Sequence, residues 1–406
     1  MGQRILVKAT PVGQIAHFSL DRSLTGQDGH GYTRASPDGE GPLRLLAHRL
    51  FAGDPEIDHV NVLSNQVTVH RQVSWDRPAL DLAANEIATL FIHYRSGPDA
   101  GFDDQWEALR TETYNATITD IRVQNDELWV LRVTPDDPIE PFEPGQYTSL
   151  ALGFWEPRAD EAEEDLTVIK EKKLARRSYS VSSSMIDETG ALLPHQTDFA
   201  EFYIVKVRPG EEEIPALTPR IFLKQVGDRI LMGRKFTGRY TLEGVGPTDN
   251  VVFLSTGTGE APHNTMTAEL LRRGHQGRII SVACVRYLAD LGYTAQHAAL
   301  MERYSNYHYL PLTTREAQNE GNKIYVQDLV DSGRLEEVLG APLDPAMTHV
   351  YLCGNPSMIG LPTWDGDRPI FPEALGVCRQ LHERGFTIDH GKDRGNVHHE
   401  EYWSPA

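Results

Sequence analysis

From Asn250 onward the chain repeats one pattern, an apolar β-branched run followed by a helical one: VVFLST then APHNTMTAELLRRG, RIISVACVR then QHAALMERY, THVYLCG then FPEALGVCRQLHERG. Alternation of this kind constrains the fold more than any other feature of the sequence. Successive parallel strands need a crossover to return to the same sheet edge, so the pattern predicts a doubly wound parallel sheet with helices on both faces. The first repeat runs its strand into Gly257, Thr258 and Gly259 and then into a helix that Pro262 can help start. Glycines at such a turn let the backbone approach a phosphate at the positive end of a helix. A glycine turn between strand and helix is equally common as plain structure, and the spacing is not G-x-G-x-x-G.

Upstream the grammar differs. YNATITDIRV, LWVLRVT, QYTSLAL, RSYSVSS and FAEFYIVKV recur at short spacing, broken by turn residues such as DDP and PFEPG. These predict a small antiparallel barrel or sandwich over residues 113–247, before the α/β part over 248–406. The charged segment EPRADEAEEDLTVIKEKK is too polar for a core and is expected to fold over the barrel as a loop or flap. Residues 1–112 read as a third, small α/β unit. It has a strand in ILVKATPV, a Gly- and Asp-rich loop in TGQDGHGYTRASPDGEG, a helix in PLRLLAHRLFAG and two strands around Ser64-Asn65. A closing helix in LAANEIATLFIHYRSG is expected to end at Gly97-Pro98, with DAGFDDQ as linker. Three domains also suit a length of 406 residues.

Composition narrows the chemistry. A net charge of −19 leaves no general basic field for nucleic acid, and no apolar run is long enough to span a membrane. The start MGQRILVKATPVGQ lacks the apolar stretch of a secretory signal, so a cytoplasmic location is expected. Cys284, Cys353 and Cys378 are widely separated, and the 16 histidines show no ligand spacing on one face. A metal site is therefore not expected, nor an iron–sulfur cluster built by this chain alone.

Three motifs give the glycine turn its meaning. Arg177-Ser178-Tyr179-Ser180 lies on a barrel strand, Cys353-Gly354-Asn355-Pro356 ends a later strand of the sheet, and the chain closes with EEYW before Ser404-Pro405-Ala406. With VRYLADLGY and LTTRE, their order over about residues 113–403 resembles the ferredoxin–NADP reductase family, the bacterial type more than the plastid type. The resemblance implies FAD and NADP(H) as cofactors. It places Tyr179 against the flavin ring, Ser180 near the flavin N5 edge, and Arg177 on the FAD phosphates, tasks that suit an aromatic, a hydroxyl and a guanidinium. It adds Tyr203, Ala216, Leu217 and Thr218 as further FAD residues, with Thr218 read as the N-cap before Pro219 and Thr258 close to the cofactor. The terminal aromatics Tyr402 and Trp403 would cover the isoalloxazine or adenine.

Arg286, Thr314 and Arg315 match positions that hold a 2′-phosphate, which favours NADP over NAD, and Lys323 is the third cation the resemblance calls for. Cys353 and Gly354 would approach the nicotinamide. Taken without the family, Tyr179 reads as a half-buried strand residue, the arginines as solvated charges and Cys353 as a buried structural thiol. The implied activity is electron transfer between NADP(H) and ferredoxin or flavodoxin, the flavin taking a hydride and releasing electrons singly while the protein positions rings and phosphates. A reductase component serving an oxygenase or another redox partner is the alternative. The front segment resembles the N-terminal domain of NifU-like iron–sulfur scaffold proteins in order and length but carries no C-x-x-C, so the resemblance implies no cluster of its own and leaves three readings open: docking of an iron–sulfur partner, docking of a second reductase copy, or an inert stabilising appendage.

Overall fold

The computed structural model describes residues 5–35, 41–90, 109–157, 173–194, 197–207, 215–366 and 368–402. The chain divides into two compact units. One comprises residues 1–113 with the segments 153–175 and 209–216; the other comprises 114–152, 176–208 and 217–406.

In the first unit, β1 (Val7–Val12), β2 (Ile15–Leu20), β3 (Gly29–Thr33), β4 (Ile57–Leu63) and β5 (Gln66–Arg71) form an antiparallel sheet in the order β1-β2-β5-β4-β3. Helices α1 (Pro42–Gly53) and α2 (Arg77–Ala88) contribute Leu46, Leu50, Leu80 and Ile87 to a core shared with Phe18, Val60, Val62, Val67 and Val69. Alternation along the strands sends these residues inward and His17, His59, Thr68 and His70 to the opposite face. Three expectations change here. The Gly- and Asp-rich loop contains β3, because paired backbone on β4 can satisfy a glycine-containing strand that composition marks as a turn. The closing helix starts earlier, at Arg77, where Asp76 accepts the Ala79 N–H and Pro78 fits the first turn, and it ends at Ala88. Gly97-Pro98 and the DAGFDDQ linker lie outside the described residues, as do residues 158–172 of the charged insertion.

The second unit has the expected antiparallel and parallel halves. Strands β6 (Ala116–Asn125), β7 (Leu128–Pro135), β8 (Tyr147–Gly153), β9 (Leu174–Ser180), β10 (Ala200–Val205) and β11 (Arg229–Met232) form a sheet in the order β10-β7-β6-β11-β8-β9, with a single helical turn α3 (Thr218–Ile221). After it, β12 (Asn250–Thr256), α4 (Glu260–Arg272), β13 (Ile279–Val285), α5 (Thr294–Arg303), β14 (Tyr307–Thr313), α6 (Val326–Asp331), α7 (Arg334–Leu339), β15 (Thr348–Gly354) and α8 (Pro356–Ile359) wind a parallel sheet. A hairpin of β16 (Thr363–Asp365) and β17 (Arg368–Ile370), then α9 (Val377–Glu383) and β18 (Val397–Glu401), complete it, and the strand order is β14-β13-β12-β15-β18.

One reading needs correction in this unit. The FPEALGVCRQLHERG run is helical only from Val377, after Pro372 and Gly376 have interrupted it; the Gly376 backbone packs on Gly360, which holds the chain extended there. The terminal EEYW motif begins inside β18, which pairs in parallel with β15 from Val350↔Val397 to Gly354↔Glu401. The barrel and sheet share one core, in which Leu128, Val130 and Tyr203 pack with Phe253, Met266 and Tyr293.

Candidate functional site

The strand order fixes where a ligand can enter. From β12 the chain winds outward through β13 and β14, then returns past β12 to β15 and β18, so the crossovers on either side of the β12–β15 pair diverge. Their separation leaves a crevice at the carboxyl ends of β12 and β15. The glycine turn Gly257-Thr258-Gly259 and the Gly354-Asn355-Pro356 turn emerge side by side at that point. A Cβ on Gly259 would sit 2.3 Å from the Cys353 carbonyl oxygen, and one on Gly354 would sit 2.3 Å from Thr256 Oγ1, so the two turns can approach only as glycines. Gly257 instead has φ 54° and open space beside it, leaving its backbone free to face a ligand. Asn355 joins the two turns: its N–H donates to Thr256 Oγ1 at 2.7 Å, and its side chain accepts the Ser357 N–H at 2.8 Å.

A cleft of about 890 Å³ opens over these turns, lined by Gly257, Thr258, Gly354, Asn355 and Pro356, by Arg286 and Thr314, and by Tyr325 and Tyr402. Arg286 follows β13, and the Arg315 N–H donates to the Arg286 carbonyl at 2.8 Å, which places the two arginine backbones next to each other. Arg315 and Lys323 are exposed and do not line the cleft. Tyr325, two residues beyond Lys323, does; it is an exposed aromatic suited to stacking on a base, and the sequence reading passed over it.

On the barrel side, β9 alternation puts Arg177 and Tyr179 on one face and Ser178 and Ser180 on the other. Arg177 and Ser178 are exposed, and Tyr179 is half-buried with its ring edge-on to Phe202. Ser180 is buried, and its hydroxyl donates to Glu400 Oε2 at 2.7 Å. Glu400 was not foreseen. It lies two residues before Tyr402 on β18, and the only signal for it was the EEYW ending. Burial raises its carboxyl to about 7, opposed by the Ser180 hydrogen bond. Cys353 at the end of β15 is fully buried, and burial beside Glu400 keeps its thiol well above the ordinary range, so it is a neutral thiol. The buried Tyr402 hydroxyl sits among Cys353, Glu400 and Ser180 without a well-aligned hydrogen bond of its own.

The other expected residues that are described make contacts of their own. Tyr203 is buried, its hydroxyl donating to the Asp290 carbonyl at 2.8 Å and accepting the Gly292 N–H at 2.9 Å, so it fastens the barrel to the loop after β13. Thr218 is not an N-cap: Leu217 holds that position, Thr218 is the first helical residue, and its Oγ1 accepts the Val207 N–H at 3.1 Å. A helix of four residues can begin one position early when a neighbouring loop takes the hydroxyl. Leu217 is buried and Ala216 half-buried, the latter grouping with the first unit. Trp403 lies outside the described residues. Among the described residues no helix is long and apolar enough to cross a membrane.

The residues present fit FAD and a pyridine dinucleotide: an open glycine turn at a switch point, a cation and an aromatic along the cleft, and an unsatisfied buried hydroxyl at its floor. Such a combination suits a nucleotide ligand. Residues 253–361 match the family model described as the oxidoreductase NAD-binding domain. The chain is 27% identical over 239 residues to the flavodoxin/ferredoxin–NADP reductase of Escherichia coli, covering 59% of this chain and 84% of that protein. It is 25% identical over 256 residues to the ferredoxin–NADP reductase of Pseudomonas aeruginosa, covering 61% and 86%. A ferredoxin NADP+ reductase from Neisseria gonorrhoeae, solved with bound FAD and NADP, shares the fold with a TM-score of 0.53 at 20% identity, over 71% of this chain and 98% of that one. Over the region they cover, the chain is similar to ferredoxin–NADP reductases in sequence and in fold.

Proposed function

We propose that this chain is an FAD-dependent oxidoreductase that moves electrons between NADP(H) and ferredoxin or flavodoxin in the cytoplasm. The observation that carries the reading is the meeting of Ser180 from the barrel with Glu400, Cys353 and Tyr402 from the sheet, a cluster that reaches the switch-point cleft through Tyr402. Relatives named as ferredoxin and flavodoxin reductases supply the acceptor class. The barrel over 113–247 would hold FAD and the sheet over 248–406 the nucleotide. Arg177 would pair with the FAD phosphates and Tyr179 would lie along the flavin, while Gly257 and Thr258, with Gly259 packed on Cys353 behind them, leave room for a pyrophosphate at the start of α4. Bound FAD supplies a centre that exchanges a hydride with NADP(H) and single electrons with a protein carrier.

The chain's own residues set the geometry of that exchange. Cys353 and Gly354 shape the surface on which a nicotinamide would lie, and Tyr402 fills that place from the β18 side. Ser180 presents a hydroxyl whose proton is held toward Glu400, and a carboxyl that titrates near neutrality can keep or release a proton through it. Arg286, Thr314 and Arg315 favour a 2′-phosphate, and Tyr325 offers its ring to adenine. Mixing the purified yellow protein with NADPH or NADH and following the flavin absorbance tests the reading: rapid bleaching by NADPH, and reoxidation by ferredoxin or flavodoxin, are expected. A strong preference for NADH would overturn the roles given to Arg286 and Arg315.

For the first unit we infer a docking role toward an iron–sulfur protein, motivated by its resemblance to the NifU-like N-terminal domain. A cleft of about 490 Å³ on the open face of its sheet, lined by His59, Asn61, Thr68 and His70 among others, is the surface that would serve it.

A further inference from the structure

Arg286, the cation best placed for a 2′-phosphate, already has acidic partners. Its Nη2 lies 3.3 Å from Glu127 Oε2, and its Nε lies 3.7 Å from Asp290 Oδ2. Both carboxylates line the same cleft as Arg286. Their situations differ. Asp290 is built into the loop, accepting from Asn125 Nδ2 at 3.0 Å and from the Tyr287 N–H at 3.1 Å, so it closes a turn of backbone. Glu127 stands at the turn between β6 and β7. There its N–H is held by Asn125 Oδ1 at 2.9 Å, and its carbonyl takes the Lys206 N–H at 2.7 Å. The backbone is thus fixed over the cleft while the side chain, 24% exposed, points its charge at Arg286.

The consequence is electrostatic. A 2′-phosphate brings close to two negative charges and needs the guanidinium that Glu127 engages, so the phosphate and the carboxylate compete for one cation. A 2′-hydroxyl makes no such demand and can donate to a carboxylate. We propose that Glu127 is a specificity-determining residue: by holding Arg286 it weakens the binding of 2′-phosphorylated nucleotides relative to their 2′-hydroxyl counterparts, and so sets how strongly NADP(H) is preferred. The proposal rests on the reading that this cleft receives the adenosine end of the dinucleotide.

The test is calorimetric binding of 2′,5′-ADP and of 5′-AMP to the full-length protein and to Glu127→Gln, which keeps the side chain's size and a hydrogen-bonding oxygen. In the variant 2′,5′-ADP should bind about five- to tenfold tighter at low salt, with 5′-AMP changed by less than about twofold. The gain should shrink as ionic strength rises, because the removed repulsion is between partly exposed charges. Equal changes for both ligands, or weaker 2′,5′-ADP binding in the variant, would overturn the inference. If the wild-type protein binds neither nucleotide, the assignment of the cleft itself fails; if it binds both and the variant leaves their ratio unchanged, only the role of Glu127 does.

Discussion

Glu400 shows how a single side chain acquires a function from its surroundings. In an extended chain it is one of two adjacent glutamates near the end; on β18 it meets Ser180 from the other half of the unit, and burial lifts its carboxyl from 4.5 to about 7. A carboxyl raised on folding binds its proton more tightly in the folded state. The stability that this contributes is complete below about 4.5 and is lost as pH climbs through about 7. Glu400→Gln should therefore flatten the decline in melting temperature over that interval and gain on the order of 2 kcal/mol above neutrality. The same variant should remove an inflection near pH 7 from the rate of flavin reduction by NADPH, read by stopped flow. An unchanged inflection would assign it to another group. Sequence reading marked Ser180, Cys353 and Tyr402 because each sits in a recognisable motif. It passed over Glu400 and Tyr325, whose meaning depends only on what stands opposite them.

Elements explain why the site is where it is. The β12 and β15 turns are glycine-rich, and in the fold each glycine leaves the other turn room to approach. Gly259→Ala would push a methyl group against the Cys353 carbonyl, so it should destabilise the protein by about 1–3 kcal/mol in urea unfolding and weaken nucleotide binding together with stability. A variant as stable as the wild type would mean that the turns can move apart. The strand and helix runs of the parallel half were legible because apolar periodicity is local. The start of α3, the shortened α9 and the strand hidden in the Gly- and Asp-rich loop were not, since each depends on a partner from distant sequence: the Val207 N–H, the Gly360 backbone and the β4 ladder.

At the scale of the whole molecule, the division of the chain differs from a simple succession of domains. Segments 153–175 and 209–216, which fall within the barrel's stretch of sequence, cluster with residues 1–113. Within that first unit the buried carboxylate of Glu156 is met by Arg110, with Nε 2.9 Å from Oε1 and Nη2 3.2 Å from Oε2. Deleting the front residues would strip a buried carboxylate of this partner, so loss of function in such a truncation would not isolate a docking role. Substituting the open sheet face is cleaner. The double variant His59→Ala, His70→Ala should weaken affinity for an iron–sulfur protein acceptor, measured by surface-bound partner titration, while leaving reduction of a small artificial acceptor by NADPH intact. Unchanged partner affinity would remove the docking role. By itself the sequence determined the alternating parallel half, the antiparallel half before it and the motif residues of the cleft, because hydrophobic period and turn chemistry are properties of neighbouring residues. Only the tertiary structure decided that Glu400 faces Ser180, that Glu127 pairs with Arg286 and that two inserted segments join the front unit, because those pairings bring together charges and surfaces that are far apart along the chain.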